Sequence, residues 1–211
     1  MKTAIHFVLD RFLPKPQHPL LRNGSLHLKW RLGWVKGWLW RPYWWVRKRF
    51  GGTAITIGSR FSLQGKLILR GPGRVILGDD VIIDSVTTPY THTSSAVISI
   101  GSRSFVNGTR FGAAELIQIG QNALLADARI MDTDFHSLHR DRNSNPRRIV
   151  PHAAVMIEDN VWIAASCSVL KGVRIGKDSV IALGSVVTQS IPAGSIAAGN
   201  PAKIISQIPI D

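Results

Sequence analysis

Residues 157–191 read IEDNVWIAASCSVLKGVRIGKDSVIALGSVVTQSI, and every sixth residue from the first is a β-branched aliphatic. These residues are Ile157, Ile163, Val169, Ile175, Ile181 and Val187. Four positions after each of them comes a second residue, and most of these are small. A helix repeats every 3.6 residues and a strand every two, so neither explains a period of six. A chain that turns a corner every six residues does, and the period therefore predicts a parallel β-helix.

The same pattern continues towards the N-terminus, with an aliphatic residue followed by glycine at 57–58, 77–78, 100–101 and 119–120. Glycine at these places is expected to relieve a tight corner. The period slips between Leu77 and Ile119, which predicts small insertions at corners. It stops between Met131 and Ile157, where the polar sequence predicts a protruding loop near residues 132–156. We therefore predict an all-β domain of coils over residues 51–205 and a short tail, 206–211.

Residues 1–50 differ from the rest in charge and aromatic content. They carry a net charge of +10 of the chain's +13, and they hold six of its seven tryptophans. A short amphipathic helix is predicted over residues 1–13. A second helix is predicted over 28–40, with Trp30, Trp34 and Trp38 on one face, and Pro42 is expected to interrupt it.

Three interpretations of this basic extension follow from its composition. A helix rich in tryptophan and cations is typical of a segment that lies on an anionic membrane. Packing of the tryptophan face on the β-helix or on another subunit is the second interpretation. Binding of single-stranded nucleic acid is the third, but no defined nucleic-acid module is present, and we expect no such partner.

Composition also excludes some classes of protein. No stretch of about 20 apolar residues is present, so we expect no transmembrane helix. The N-terminus lacks a good signal-peptide core and cleavage site, which predicts a cytoplasmic protein or one held at the cytoplasmic face of the inner membrane. The single cysteine, Cys167, excludes an internal disulfide, and its small inward position in the repeat favours core packing over a nucleophilic role.

Four segments resemble the hexapeptide-repeat O-acetyltransferases: residues 160–165, 169–176, 182–187 and 198–203. The similarity is to the branch that contains galactoside, maltose and nodulation-factor acetyltransferases and enzymes of surface-polysaccharide synthesis. It is strong over 119–205, looser over 53–118 and absent over 1–50. The resemblance implies a left-handed β-helix and a homotrimer. It also implies that acetyl-CoA lies between neighbouring subunits and that a histidine on a loop acts as the base.

Moving an acetyl group from a thioester to a hydroxyl requires a base, a donor for the oxyanion and aligned reactants. His136, at the start of the predicted loop, resembles the family's catalytic histidine, and His139 is the rival. Asp134 is our candidate for orienting its ring, while Asp132 and the distant Asp84 remain alternatives.

The remaining candidates bind substrates. Asn107 precedes His136 by an interval close to that of the acceptor-site asparagine in sugar acetyltransferases, although an asparagine beside glycine also suits a left-handed corner. For acetyl-CoA, Lys203, at the end of the fourth resembling segment (198–203), is the expected partner of the phosphates. Lys177 and Lys171 are weaker candidates. Small residues would face the pantetheine arm, namely Ala165, Ala182 and Ser185.

The sequence thus predicts an acetyl-CoA-dependent O-acetyltransferase that acts on a sugar or glycan hydroxyl and requires no metal. An antibiotic O-acetyltransferase of the same fold and a non-catalytic β-helix scaffold are alternatives. A metal-dependent carbonic anhydrase would need three histidine ligands. His136, His139 and His152 could be proposed, but their spacing does not match that family.

Overall fold

A computed structural model describes residues 24–145 and 149–209, with side chains from residue 28 onward. Within these ranges, one helix, α1 (Gly24–Arg49), precedes twenty strands. The helix predicted over residues 1–13 lies outside the described residues. Among the described residues, no helix is both long enough and apolar enough to cross a membrane.

The strands form three sheets, and each of the first six coils contributes one strand to each sheet. The first sheet contains β1 (Ala54–Ile57), β4 (Arg74–Leu77), β7 (Val97–Ile100), β10 (Leu116–Ile119), β13 (Val155–Ile157) and β16 (Arg174–Ile175). The second contains β2 (Ser62–Leu63), β5 (Ile82–Asp84), β8 (Phe105–Asn107), β11 (Leu124–Ala126), β14 (Trp162–Ile163), β17 (Val180–Ile181), β19 (Ser195–Gly199) and β20 (Ala202–Gln207). The third contains β3 (Lys66–Leu67), β6 (Val86–Thr91), β9 (Arg110–Ala113), β12 (Arg129–Met131), β15 (Ser168–Val169) and β18 (Val186–Val187).

All neighbouring strands are parallel except the last pair, in which β20 turns back along β19 and closes the C-terminal end. The result is a parallel β-solenoid of about seven turns. The predicted parallel β-helix is confirmed, and its architecture is consistent with the left hand that the family resemblance implies.

The core of the solenoid is built from the two repeating inward positions. All six β-branched residues of the 157–191 stretch are buried, and so are the six residues that follow them at the fourth position. Cys167 is one of these, and burial raises the pKa of its thiol. Its S–H donates to the carbonyl of Ala182 at 3.1 Å, so the side chain packs in the core of the solenoid and is hydrogen-bonded there.

The glycines after the aliphatic residues lie at the edge between the first and second sheets. A Cβ at Gly101 would lie 2.4 Å from the carbonyl carbon of Gly120, and one at Gly176 would lie 2.3 Å from the backbone nitrogen of Ala193. These glycines therefore allow successive coils to stack closely at this edge. The left-handed conformation of the corner falls on a different residue, for example Asn122 with a φ of 55°.

Helix α1 packs across the first coil, mainly against β1 and β2. Two of its glycines make this close approach possible, because a Cβ at Gly33 would lie 2.4 Å from Ser62 Oγ and one at Gly37 would lie 2.8 Å from Phe61 Cδ1. Trp44 is buried in the main core beside Phe61. Glycine is a weak helix former, yet these two glycines are the places where the helix contacts the solenoid most closely.

The prediction that Pro42 interrupts this helix is wrong, since α1 continues through it to Arg49. Proline removes one backbone hydrogen bond, and packing holds the turns on either side. The last turns are fixed by the buried Trp44 and by Arg47, whose guanidinium donates to the carbonyl of Leu69 at 2.9 Å. Residues four apart drift by about 40° around a helix, so the face defined by tryptophans turns from the buried Trp30 to the exposed Trp38.

Candidate active site

The segment between β12 and β13, residues 132–154, is the largest departure from the regular coil. Ile157 pairs with Ile175 one regular coil further along the chain, whereas Ile117 pairs with Val155 across a stretch more than twice as long. The additional residues leave the solenoid at the edge between the third and first sheets. The predicted protruding loop is confirmed, and its start and end lie on adjacent coils.

Asp132 fastens the start of the loop to the coil. It is fully buried, and its carboxylate accepts hydrogen bonds from the backbone N–H groups of residues 114–116 at 2.7 to 2.8 Å. Thr133 pairs antiparallel with His152, which ties the outgoing chain to the returning chain. The carboxylate of Asp132 is therefore engaged as a structural brace at the base of the loop.

Phe135 sets the path of the chain into His136. Its φ is 63°, an uncommon conformation for a bulky side chain. The ring meets His92 edge to face at a centroid distance of 4.6 Å, and its Cζ is so close to Gly112 that a Cβ there would lie 2.4 Å away. With the ring held in this slot, the next side chain, His136, is exposed, and the backbone N–H of His136 donates to the carbonyl of Asp134 at 2.7 Å.

The candidate acids have other partners within the chain. One carboxylate oxygen of Asp134 accepts from Lys171 Nζ at 2.6 Å. Its other oxygen is buried and has no hydrogen-bond partner among the described residues. Asp84 forms an ion pair with Lys29 of α1 at 2.8 Å, at the edge between the second and third sheets. Of the acids considered, Asp134 alone combines proximity to His136 in sequence with an unpaired carboxylate oxygen.

His92 is a site residue that the sequence reasoning missed. Its ring lies between Tyr90, at a centroid distance of 4.1 Å, and Phe135. Burial lowers the pKa of His92, opposed by the charge of Asp132, and its Nε2 has no hydrogen-bond partner among the described residues. His92 follows β6, where the six-residue period slips, so no repeat position identified it as a neighbour of the loop.

The predicted acetyl-CoA residues lie mostly along a different edge, between the second and third sheets. Ala165 and Ala182 are partly exposed in the turns that follow β14 and β17. Ser185 is buried behind them, where its hydroxyl donates to the carbonyl of Ala182 at 2.6 Å and accepts from the N–H of Gly199 at 3.2 Å. Ser185 thus holds this corner from the inside.

Three other candidates can be placed relative to this edge. Asn107 ends β8 at the same edge, two coils before Ala165. Lys203 is exposed on β20, opposite Ala198 of β19, at the C-terminal end of that edge. Lys177 lies elsewhere, in the turn between β16 and β17 at the edge between the first and second sheets.

A single chain therefore keeps the candidate base apart from the candidate cofactor groove. The loop with His136 projects from one edge, and the candidate cofactor residues Ala165, Ala182 and Lys203 lie along another. The third sheet lies between them, and its four-residue strand β9 spans about 13 Å. Within the described ranges, no three histidine, cysteine or acidic side chains form a group that could hold a metal ion.

Comparison with known proteins supports this description. Residues 154–189 match the family model for the bacterial transferase hexapeptide (six repeats). Over 53 residues the chain is 53% identical to a 2,3,4,5-tetrahydropyridine-2,6-dicarboxylate N-acetyltransferase of Staphylococcus aureus (strain JH9). That match covers 25% of this chain and 22% of the relative, so the chain spans about a fifth of the length of that curated relative.

Two solved structures share the fold. The polysialic acid O-acetyltransferase OatWY is 24% identical with a TM-score of 0.61, over 75% of this chain and 77% of that one. A variant of the N-acyltransferase AntD from Bacillus cereus, in complex with dTDP and coenzyme A, is 20% identical with a TM-score of 0.60, over 77% and 87%. The solenoid and its matched repeat define a hexapeptide-repeat protein. Residues 154–189 thus carry the repeat of the bacterial hexapeptide transferases, and the resemblance found in the sequence is confirmed.

Proposed function

We propose that this protein is an acetyl-CoA-dependent O-acetyltransferase that acetylates a hydroxyl of a sugar or glycan. The observation that carries the proposal is the braced loop, which leaves an otherwise regular solenoid and presents the exposed imidazole of His136. The relatives support the reaction class, since the matched curated protein is named an N-acetyltransferase and OatWY a polysialic acid O-acetyltransferase. The AntD structure contains coenzyme A, which supports an acyl-CoA donor.

In the proposed reaction, the acceptor hydroxyl attacks the thioester carbonyl carbon while His136 takes the hydroxyl proton. The tetrahedral intermediate then collapses, the C–S bond breaks, and the imidazolium returns the proton to the departing coenzyme A sulfur. The products are an acetyl ester and coenzyme A. Asp134 would orient the imidazole and stabilise its charged form through the carboxylate oxygen that Lys171 leaves free.

The two substrates would be held at the second edge. Ala165 and Ala182 would face the pantetheine arm of acetyl-CoA, Lys203 would meet its phosphates, and Asn107 would hold the acceptor hydroxyl. Because His136 lies at another edge, we propose that each complete site joins the loop of one subunit to the groove of the next in a homotrimer. A cyclic trimer offers three such identical contacts.

The first test is a thioester-cleavage assay of purified protein with acetyl-CoA and a panel of hydroxyl and amino sugars. His136→Ala should lower kcat by about 10² to 10⁴, the usual contribution of a positioned base. His139→Ala is the matched control and should retain most of the activity. Equal rates for wild type and His136→Ala would remove the assigned base, and turnover of amino sugars alone would replace O-transfer by N-transfer.

The second test asks whether the site is shared between subunits. Light scattering of the purified protein gives the number of chains, which should be three. A chain carrying His136→Ala is then unfolded and refolded with an equal amount of a chain carrying Ala182→Trp, which blocks the groove. Random mixed trimers should recover about a quarter of wild-type activity, because one contact in four joins two intact halves. No recovery from a properly mixed trimer would place the base and the groove in the same chain.

A further inference from the structure

The packing of α1 leaves a large apolar face of the helix uncovered. Its buried face is formed by residues spaced three, four and seven apart, namely Trp30, Gly33, Gly37 and Trp44. The opposite face follows the same helical spacing and is exposed from Val35 onward, with Val35 at 36%, Trp38 at 62%, Leu39 at 61%, Trp45 at 70% and Val46 at 45%, whereas Arg31 before it is buried. Phe50, just after the helix, is 85% exposed. The helix is therefore apolar on both sides, and the solenoid covers one of them.

The charged residues of α1 itself have a single sign. Residues 24–49 contain seven Lys or Arg residues and no acid. The helix ends in three cations, Arg47, Lys48 and Arg49. Lys48 and Arg49 are exposed, and neither has an acidic partner among the described residues. A second copy of this helix would bring cations against cations, so the face is better suited to an anionic surface than to itself.

A groove beside the helix has the same character. Its volume is about 410 Å³, and it lies between one flank of α1 and the first coil. Trp40 and Tyr43 line it together with three cations, Lys36, Arg47 and Lys66. Tyr43 is 48% exposed and borders the uncovered face. Apolar rings next to cations in one groove match the boundary between lipid headgroups and acyl chains.

We infer that the uncovered face of α1 docks on the surface of an anionic lipid bilayer, with the solenoid held on the side of the helix away from the membrane. The tryptophan rings sit at headgroup depth, and the cations at the end of the helix meet the lipid charge. This inference concerns the N-terminal segment alone and does not depend on the proposed acetyl transfer.

The test is flotation of the full chain with two kinds of vesicle, one of pure phosphatidylcholine and one in which phosphatidylglycerol supplies an anionic surface. Wild-type protein should bind the anionic vesicles at least tenfold more tightly, and binding should weaken as salt is raised. The paired variant Lys48→Gln, Arg49→Gln should lose about fivefold for each cation removed. Neither substitution touches the core, so the melting temperature should stay within about 2 °C of wild type.

A matched pair of variants separates this face from general surface apolarity. Leu39→Glu changes a residue that is 61% exposed on the uncovered face, and Ile205→Glu makes the same change at 63% exposure on β20, at the other end of the solenoid. Leu39→Glu should weaken vesicle binding at least tenfold, while Ile205→Glu should change it less than twofold. Equal losses for the two variants, or unchanged binding of Leu39→Glu, would overturn the inference. So would a lower chain number for Leu39→Glu in light scattering with unchanged vesicle binding, because the face would then contact another copy of this chain.

Discussion

Gly112→Ala tests whether the loop is positioned by the ring of Phe135. Gly112 lies in β9, directly under the loop, and its φ is not in the left-handed region, so alanine causes no backbone strain there. The added Cβ would lie 2.4 Å from Phe135 Cζ and 2.7 Å from the sulfur of Met131. The methionine side chain can move away from the Cβ, whereas the phenylalanine ring, which contacts His92 on one side and is 37% exposed, must move outward as a rigid unit.

The size of the effect follows from these distances. Carbon atoms pack at about 3.5 to 4.0 Å, so the ring must retreat by more than 1 Å. Since Phe135 directly precedes His136, the imidazole moves with it, and a displacement of about 1 Å can cost roughly 10²-fold in rate. Overpacking should also lower the free energy of unfolding by about 1 to 3 kcal/mol, or about 2 to 12 °C in melting temperature for a domain of this size.

The measurement is kcat in the thioester assay, with the dissociation constant of coenzyme A measured by calorimetry in parallel. Gly112→Ala should lower kcat by about 10- to 100-fold and leave coenzyme A binding within about twofold, because the proposed groove lies along another edge. Combining it with Phe135→Leu removes the Cζ that clashes. The double variant should therefore lose less activity than the product of the two single losses.

Two results would refute the reasoning. Wild-type kcat in a folded Gly112→Ala protein would show that the ring does not set the position of His136. Strictly multiplicative losses in the double variant would show that the two residues act on the reaction independently, despite their contact.

Three further predictions follow from the site. Lys203→Gln should raise the KM for acetyl-CoA about five- to tenfold, whereas Lys177→Gln, at another edge, should change it less than twofold. Asp132→Asn should leave a backbone N–H at the loop base without its acceptor, lowering the free energy of unfolding by about 1 to 3 kcal/mol and the melting temperature by about 2 to 12 °C. Burial lowers the pKa of His92 in the folded state. Below about pH 6.5 the unfolded chain therefore binds more protons than the folded chain, and the free energy of unfolding decreases as the pH is lowered. His92→Leu removes this group and should reduce the loss of melting temperature between about pH 7.5 and about pH 5.5.

The sequence predicts the later coils well because every inward position there obeys one rule. From residue 157 onward, every coil except the last consists of three hexads. The residue type at each position of the hexad therefore predicts whether its side chain points inward or outward. In the earlier coils the spacing changes, because Ala54 pairs with Arg74 and Arg74 in turn pairs with the more distant Val97. Both steps are longer than three hexads. The additional residues fall in turns, where no packing rule constrains them, and for this reason His92 could not be placed from the sequence.

Helix α1 shows a different limit. Sequence patterns assign a buried face when one side of a helix is apolar and the other polar. Both sides of α1 are apolar, so the pattern could not separate packing on the solenoid from contact with a membrane. The glycines could have decided it, because Gly33 and Gly37 lie on one side and permit close approach to the first coil. The structure shows that packing uses one face and leaves the other uncovered.

At the site, residues close in sequence were predicted together, and partners from other coils were not. His136 and Asp134 lie in one loop, and the sequence predicted that both belong to it. The partner of Asp134, Lys171, comes from a later coil, and the partners of Asp132 belong to the preceding coil. Contacts between coils depend on which residues of successive coils pair. The irregular spacing of the early coils and the long loop change this pairing, so a local sequence pattern does not predict it.

The geometry of a solenoid gives a physical reason for sharing the proposed site between chains. Each coil contacts only the coils before and after it, so additional coils lengthen the prism without bringing its edges closer. The base of the loop on one edge and the proposed cofactor groove on another are separated by one strand length, about 13 Å, and the stack of coils fixes that separation. A neighbouring copy can bridge that distance, because rotation about a common axis places one edge of a subunit against a different edge of the next. On this assignment, catalysis requires assembly. Specific activity should fall when the enzyme is diluted below the concentration at which light scattering detects dissociation, while the fold of each chain, monitored by circular dichroism, stays intact.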